Sequence, residues 1–272
     1  MTATHIDTTV LDVTRFHYES DDREILAFLH DVADAAADEL DELTDWSFSG
    51  VREGQYSADI AIDDLVLDML DEAGFGVLSE ESGLTNFSWP VTGDELMVVV
   101  DPVDGSTNAG KGVPWFATSL CVIDKDGLRV ALVAEQSGTE TRYSAIRGAG
   151  ALCDGVPMRA HGTIGLHEAV IGVSGVPPHN PGWWQFRALG AIALDMCLVA
   201  KGALDGYVDF HDHGVWDYLG ALLICREAGV AIGEAFGRDL IIGDHDERRT
   251  PVVARSQELL SELLEIRQRE MT

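Results

Sequence analysis

The chain has 272 residues, 46% of them apolar, a mean hydropathy of +0.05, and 47 acidic against 18 basic residues for a net charge of −29. That length allows one large domain or two fused halves, either with a real core, and no apolar stretch reaches the length of a membrane span. With no basic patch to release phosphate counterions, nucleic acid is disfavoured as a partner.

Residues 1–7 show no basic region followed by an apolar core, so no secretory signal is expected. Cys121, Cys153, Cys197 and Cys225 are far apart and never form C-x-x-C. They read as buried, reduced thiols of a cytosolic protein, without a zinc or disulfide framework. A charge of −29 is costly in dilute salt and screened in concentrated salt. We take it as adaptation to a salty cytoplasm, which predicts a fold more stable in molar than in millimolar potassium chloride.

After a polar lead-in, Ser20 is expected to cap a helix over residues 21–43, with Ile25, Leu29, Val32, Ala36 and Leu40 on one face. Residues 46–56 form a glycine-containing linker. A second helix is expected over 61–73, ended by Gly74. Residues 75–79 form a short strand ending in Glu80 and Glu81, which must point to opposite sides. A strand over 96–100, a hairpin of 119–124 and 128–135, and a strand over 141–146 follow. A small, flexible stretch at 148–151 marks an expected division into residues 1–150 and 151–272.

The second half opens with a strand over 169–173. Helices are expected over 181–190 and 192–201, a strand over 204–210, a helix over 216–228, a strand over 250–254 and a closing helix over 256–269. Alternating strands and helices argue for α/β layers.

The chemistry concentrates where the apolar run ends in Asp101–Pro102–Val103–Asp104–Gly105–Ser106–Thr107–Asn108. Pro102 fixes one torsion between two carboxylates, Gly105 frees the backbone for a sharp bend, and the following hydroxyl and amide side chains can start a helix. Two anionic groups beside a helix start are costly unless cations lie between them and an anion sits on the helix. Hard divalent cations take oxygen ligands, so a magnesium-dependent phosphate site is the natural reading. Calcium EF-hand spacing and the two-residue gap of aspartyl-phosphate enzymes are both excluded by counting. Taken alone, Asp217 is a helix-start acid and Glu80 a surface acid.

Together, Leu78–Ser79–Glu80–Glu81–Ser82, the Asp101–Asn108 turn, the run from Arg187 to Gly202, and Trp216–Asp217 followed by Glu227–Ala228–Gly229 resemble the inositol monophosphatase family in order and spacing, from about Gly54 to Ala254. The resemblance implies a layered α-β-α-β-α sandwich and magnesium-dependent hydrolysis of a phosphate monoester. The substrate would be a small polyol or sugar phosphate, with inositol-1-phosphate and fructose-1,6-bisphosphate leading. An adenosine 3',5'-bisphosphate phosphatase and a non-catalytic cation-binding relative are the alternatives.

Carried over by position, Glu80, Asp101 and the Val103 carbonyl would hold one magnesium ion, and Asp101, Asp104 and Asp217 a second. Backbone N–H groups of Gly105 and Ser106 would receive the phosphate, with Thr107 beside them. Ser106 stands where the family has a threonine that helps deprotonate the attacking water. Asp209 would contact the substrate, and the assembly would be a homodimer. Residues 54–63 match the family poorly, leaving Asp63 as the acid for a third ion. His211 and His213 read as loop histidines without function, and Trp183, Trp184 and Trp216 as core.

Overall fold

A computed structural model describes residues 15–52, 55–85 and 87–269. The lead-in at 1–14 and Gly54, where the resemblance begins, lie outside the described residues. In chain order the elements begin with α1 (Asp22–Glu42), α2 (Ser57–Glu72), β1 (Gly76–Ser79), β2 (Gly83–Thr85), β3 (Met97–Asp104) and α3 (Ser106–Lys111). Next come β4 (Ala117–Asp124), β5 (Gly127–Glu135), β6 (Arg142–Ile146), β7 (Gly150–Cys153), β8 (Val156–Met158) and β9 (Val170–Ser174). The remainder is β10 (Gln185–Arg187), α4 (Ile192–Lys201), β11 (Gly206–Asp209), α5 (Val215–Ala228), β12 (Ala231–Glu234), β13 (Pro251–Ala254) and α6 (Gln257–Arg269).

Two sheets result. The first has the order β2-β1-β3-β4-β5-β6-β7-β8, antiparallel except for the β1–β3 pair. The second has the order β10-β9-β11-β13-β12. Strand alternation decides which layer each face meets. Val98 and Val100 of β3 pack with Ile25, Leu29 and Ile62 of α1 and α2, whereas Met97 and Val99 face α4 and α5. Tyr207 of β11 and Val253 of β13 face that same helical pair from the second sheet. Val208 and Val252 turn outward to Leu259, Leu260 and Leu263 of α6. The layers therefore run α-β-α-β-α, as the resemblance implied.

Asp21 caps α1, its Oδ1 accepting the Arg23 N–H at 2.7 Å, so the expected cap at Ser20 is displaced by one residue. The helix expected over 181–190 does not form. Gly182 and Gly190 take φ of +99° and +90° at its ends, and Gln185–Arg187 pairs as a parallel strand with β9 instead. Trp183 and Trp216 are buried, but Trp184 is exposed and is not core.

Helix α5 lies against the first sheet because Gly220 has no side chain. A Cβ there would come within 2.8 Å of the Ser119 Oγ and 3.4 Å of the Leu120 carbonyl. Gly220→Val is accordingly expected to lower stability by roughly 1–3 kcal/mol through overpacking, read as a shifted urea midpoint with an unchanged slope.

Candidate active site

Strand parity aims the acids. On β1, Leu78 faces the middle helical layer, so Glu80, two residues on, continues on that side. Glu81 takes the other side, where the Arg52 Nη2 lies 2.8 Å from its Oε2 and Gln55 also donates to it. On β3, Asp101 follows Met97 and Val99 toward the same middle layer. Simple alternation would turn Asp104 away. Between Asp101 and Asp104, however, β3 spends one residue more than β4, which pairs Ser119 with Asp101 and Ala117 with Asp104. That bulge returns Asp104 to the side of Asp101. It falls at Pro102, which has no N–H to lose from the ladder.

Three helix starts close the remaining sides. Gly105, at φ +88°, precedes α3, and a Cβ there would meet the Trp115 and Gly190 carbonyls at 3.0 and 3.1 Å. Asn108 Nδ2 donates to the Trp115 and Leu189 carbonyls at 2.7 and 2.8 Å, which ties α3 to the loop before α4. The first N–H groups of α4, from Ile192 and Ala193, donate to the two carboxylate oxygens of Asp104 at 3.2 and 2.7 Å. Asp217 stands in the first turn of α5, where its Oδ2 accepts the Gly214 N–H at 3.0 Å. Positive helix ends thus surround the acids.

Glu80, Asp101 and Asp217 each offer a carboxylate oxygen within 4.8 Å of the others. They line a cavity of about 250 Å³ shared with Val103, Asp104, Gly105, Ser106 and Thr107. Burial, reinforced by neighbouring carboxylates, holds the Glu80, Asp101 and Asp104 carboxyls well above the usual range. For Asp101 the neighbours are Glu80, Asp104 and Asp217; for Asp104, Asp217 leads, opposed by the Ala193 N–H. Such a concentration of like charge in one hollow, with donor atoms this close, suits a hard divalent cation.

Asp209 lies behind this wall. It is fully buried, with Oδ1 accepting the His211 N–H at 2.8 Å and Oδ2 3.2 Å from His213 Nε2. His213 itself lines the cavity and is no idle loop histidine, since its Nδ1 is 3.1 Å from Asp217 Oδ2. Burial works against its charge, but Asp209 and Asp217 overcome it and push the imidazole up to about 11. Nothing in an isolated His-x-His of the sequence signals that clamp.

Asp63, the acid expected near a third ion, is occupied otherwise, accepting the Ser79 and Ser82 hydroxyls. The acid beside Ser106 is Asp59, in the first turn of α2. Its Oδ2 accepts the Tyr56 N–H at 3.0 Å, while its buried Oδ1 finds no well-formed hydrogen bond among the described residues. Burial pushes its carboxyl up to about 6, although the Tyr56 N–H and the Ser106 hydroxyl pull it down. Because the folded state holds this proton to higher pH than the unfolded chain, Asp59 costs stability as pH rises from about 4 to about 6. Asp59→Asn is therefore expected to raise the melting temperature at neutral pH and, were this carboxylate to serve as a general base, to lower kcat by about 10²-fold or more. The wild-type rate should fall as pH drops through about 6. Thermal melts and a pH–rate profile of the same two proteins check both.

Comparison with known proteins identifies the family and the fold. The family model described as the inositol monophosphatase family matches residues 21–272. A fructose-1,6-bisphosphatase from Pyrococcus furiosus is 35% identical over 208 residues, covering 75% of this chain and 80% of that protein. An inositol-1-monophosphatase from Mesorhizobium japonicum is 32% identical, covering 70% and 76%. A solved Pyrococcus horikoshii protein described as similar to inositol-1 monophosphatase superposes with a TM-score of 0.79 at 25% identity, covering 90% of this chain and 98% of its own. On these matches, and on the fold and acid cluster above, the chain is a phosphatase belonging to the inositol monophosphatase family.

Proposed function

We propose that this protein hydrolyses a phosphate monoester of a small polyol or sugar, using magnesium ions held by Glu80, Asp101, Asp104 and Asp217. The observation that carries the reading is the approach of three carboxylate oxygens within 4.8 Å beside the start of α3. Glu80, Asp101 and the Val103 carbonyl would hold one ion, and Asp101, Asp104 and Asp217 a second. Asp104 already accepts two N–H groups, yet its oxygens keep further lone pairs for a cation. When bound, the ions would lower the pKa of a water and offset charge on the phosphoryl group.

The chain's own groups do the rest. The first N–H groups of α3 have no partner within the helix and are placed to receive phosphate oxygens. The Ser106 hydroxyl can take a proton from the attacking water while passing its own to Asp59, which is ionised above about pH 6. Thr107, Gly190 and Ile192 line the space left for the alcohol. Arg52 already places positive charge beside Glu80, with Nη2 3.6 Å from Oε1, and Asp63 is held by hydroxyls, so we assign two ions.

The setting we infer is a salty cytoplasm, which four buried free cysteines and the net charge of −29 support, and the assembly a homodimer. Among the described residues no helix is long and apolar enough to cross a membrane. Phosphate release from inositol-1-phosphate, fructose-1,6-bisphosphate and adenosine 3',5'-bisphosphate, assayed in concentrated salt with magnesium or a chelator, tests the proposal. Release from a polyol or sugar ester that the chelator abolishes is expected. Release indifferent to chelator, or none from any ester, would reject it.

A further inference from the structure

The molecule has a second charged hollow, and its sign is inverted. It has a volume of about 540 Å³, and Arg159, His161, Lys201 and Arg255 line it, with Asp154 the one acid among the described residues that line it. The chain as a whole carries 47 acidic against 18 basic residues, and Lys201 is one of only three lysines. Local charge therefore runs against the composition, in a concave site of the size that takes a small molecule.

The wall is fixed from behind. Arg255 Nη1 lies 2.7 Å from Asp205 Oδ1, and its Nε donates to the His161 carbonyl at 3.1 Å, which ties His161 to the residue after β13. Asp205 is also committed to the Val170 N–H at 2.8 Å. Lys201 Nζ lies 5.7 Å from the Tyr143 ring centre. Among the described residues, the side chains of Arg159 and His161 make no hydrogen bond or ion pair. A cation in the last turn of α4 is favoured by the helix dipole, which accounts for Lys201 but not for Arg159.

We propose that this hollow binds a small polyanion, a phosphate- or carboxylate-bearing metabolite, at a place separate from the reaction cavity. Helix α4 spans the two. Its first N–H groups hold Asp104 and its last residue borders the hollow, so ten residues, about 15 Å of helix, lie between them. Nucleic acid is disfavoured as the anion by repulsion from the rest of the surface.

The test titrates pyrophosphate, and separately citrate, into the full chain after a chelating resin has removed divalent ions, with binding read by calorimetry. Without cations the acid-lined reaction cavity repels both anions, so binding heat reports the basic hollow and does not depend on the hydrolytic reading. One-site binding is expected, weaker at higher potassium chloride and weakened about tenfold or more in Arg159→Glu/Lys201→Glu at an unchanged melting temperature. The tighter of the two anions identifies which acid group the site prefers. Should the double variant not fold, Arg159→Ala, at an exposed position, gives the same comparison with a smaller loss. No binding of either anion, or affinity unchanged in the folded variants, would overturn the proposal.

Discussion

Asp101→Asn and Asp217→Asn are each expected to cut magnesium-dependent phosphate release by about a thousandfold or more. Each removes one of the carboxylates proposed to hold magnesium, and metal-assisted stabilisation of a phosphoryl transfer is worth several kcal/mol, with each factor of ten about 1.36 kcal/mol. The stability consequence runs the other way. Asp101 is buried, and burial with the charges of Glu80, Asp104 and Asp217 already disfavours its ionised form. An amide of the same shape removes that cost, so metal-free Asp101→Asn should melt at or above the metal-free wild type. A variant that lost both activity and melting temperature would indicate a structural role. One that kept its rate would remove Asp101 from the chemistry.

The second large effect is the coupling of stability to pH and magnesium. The carboxyls of Glu80, Asp101 and Asp104 hold their protons to higher pH when folded than when unfolded, because of burial and mutual repulsion. Across that interval the folded state binds more protons, so metal-free stability falls as pH rises above about 4. Magnesium bound as proposed would replace the lost protons. At about a hundredfold excess over its dissociation constant, one ion adds about 2.7 kcal/mol, a rise in Tm of roughly 5 °C or more for a chain of this size. The magnesium shift should be large at neutral pH, shrink toward pH 4, and be absent in Asp101→Asn. Thermal melts over a pH series with and without magnesium measure it.

The residues that wrote the fold most plainly were those whose role is local. The apolar face of α1, the β4–β5 hairpin and the break at Pro102–Gly105 need only neighbours in the chain, and each element stands close to where periodicity put it. The segment 181–190 misled because its apolar spacing suits a helix, whereas positive-φ glycines at its ends and pairing with β9 make it extended. Short strands such as β7 and β12 carry too few residues for alternation to show.

The site divides the same way. Asp101, Asp104 and Asp217 stand at a strand end or a helix start, and the bulge that turns Asp104 inward is foreshadowed by the proline between the acids. Asp59 and Arg52 gave no sign and His213 only an ambiguous one, since a first-turn acid, a loop arginine and a loop histidine acquire meaning only from Ser106, Glu80 and the pair Asp209 and Asp217 brought to them by the fold. Asp209 was legible as an acid near the site but not as a buried partner of His213.

The most direct measurement is anomalous diffraction from crystals soaked in manganese, which reports the position of a bound divalent ion without reference to any substrate. Two anomalous peaks are expected in the hollow walled by Glu80, Asp101, Asp104 and Asp217. A hollow without peaks in crystals that bind manganese elsewhere would contradict the account.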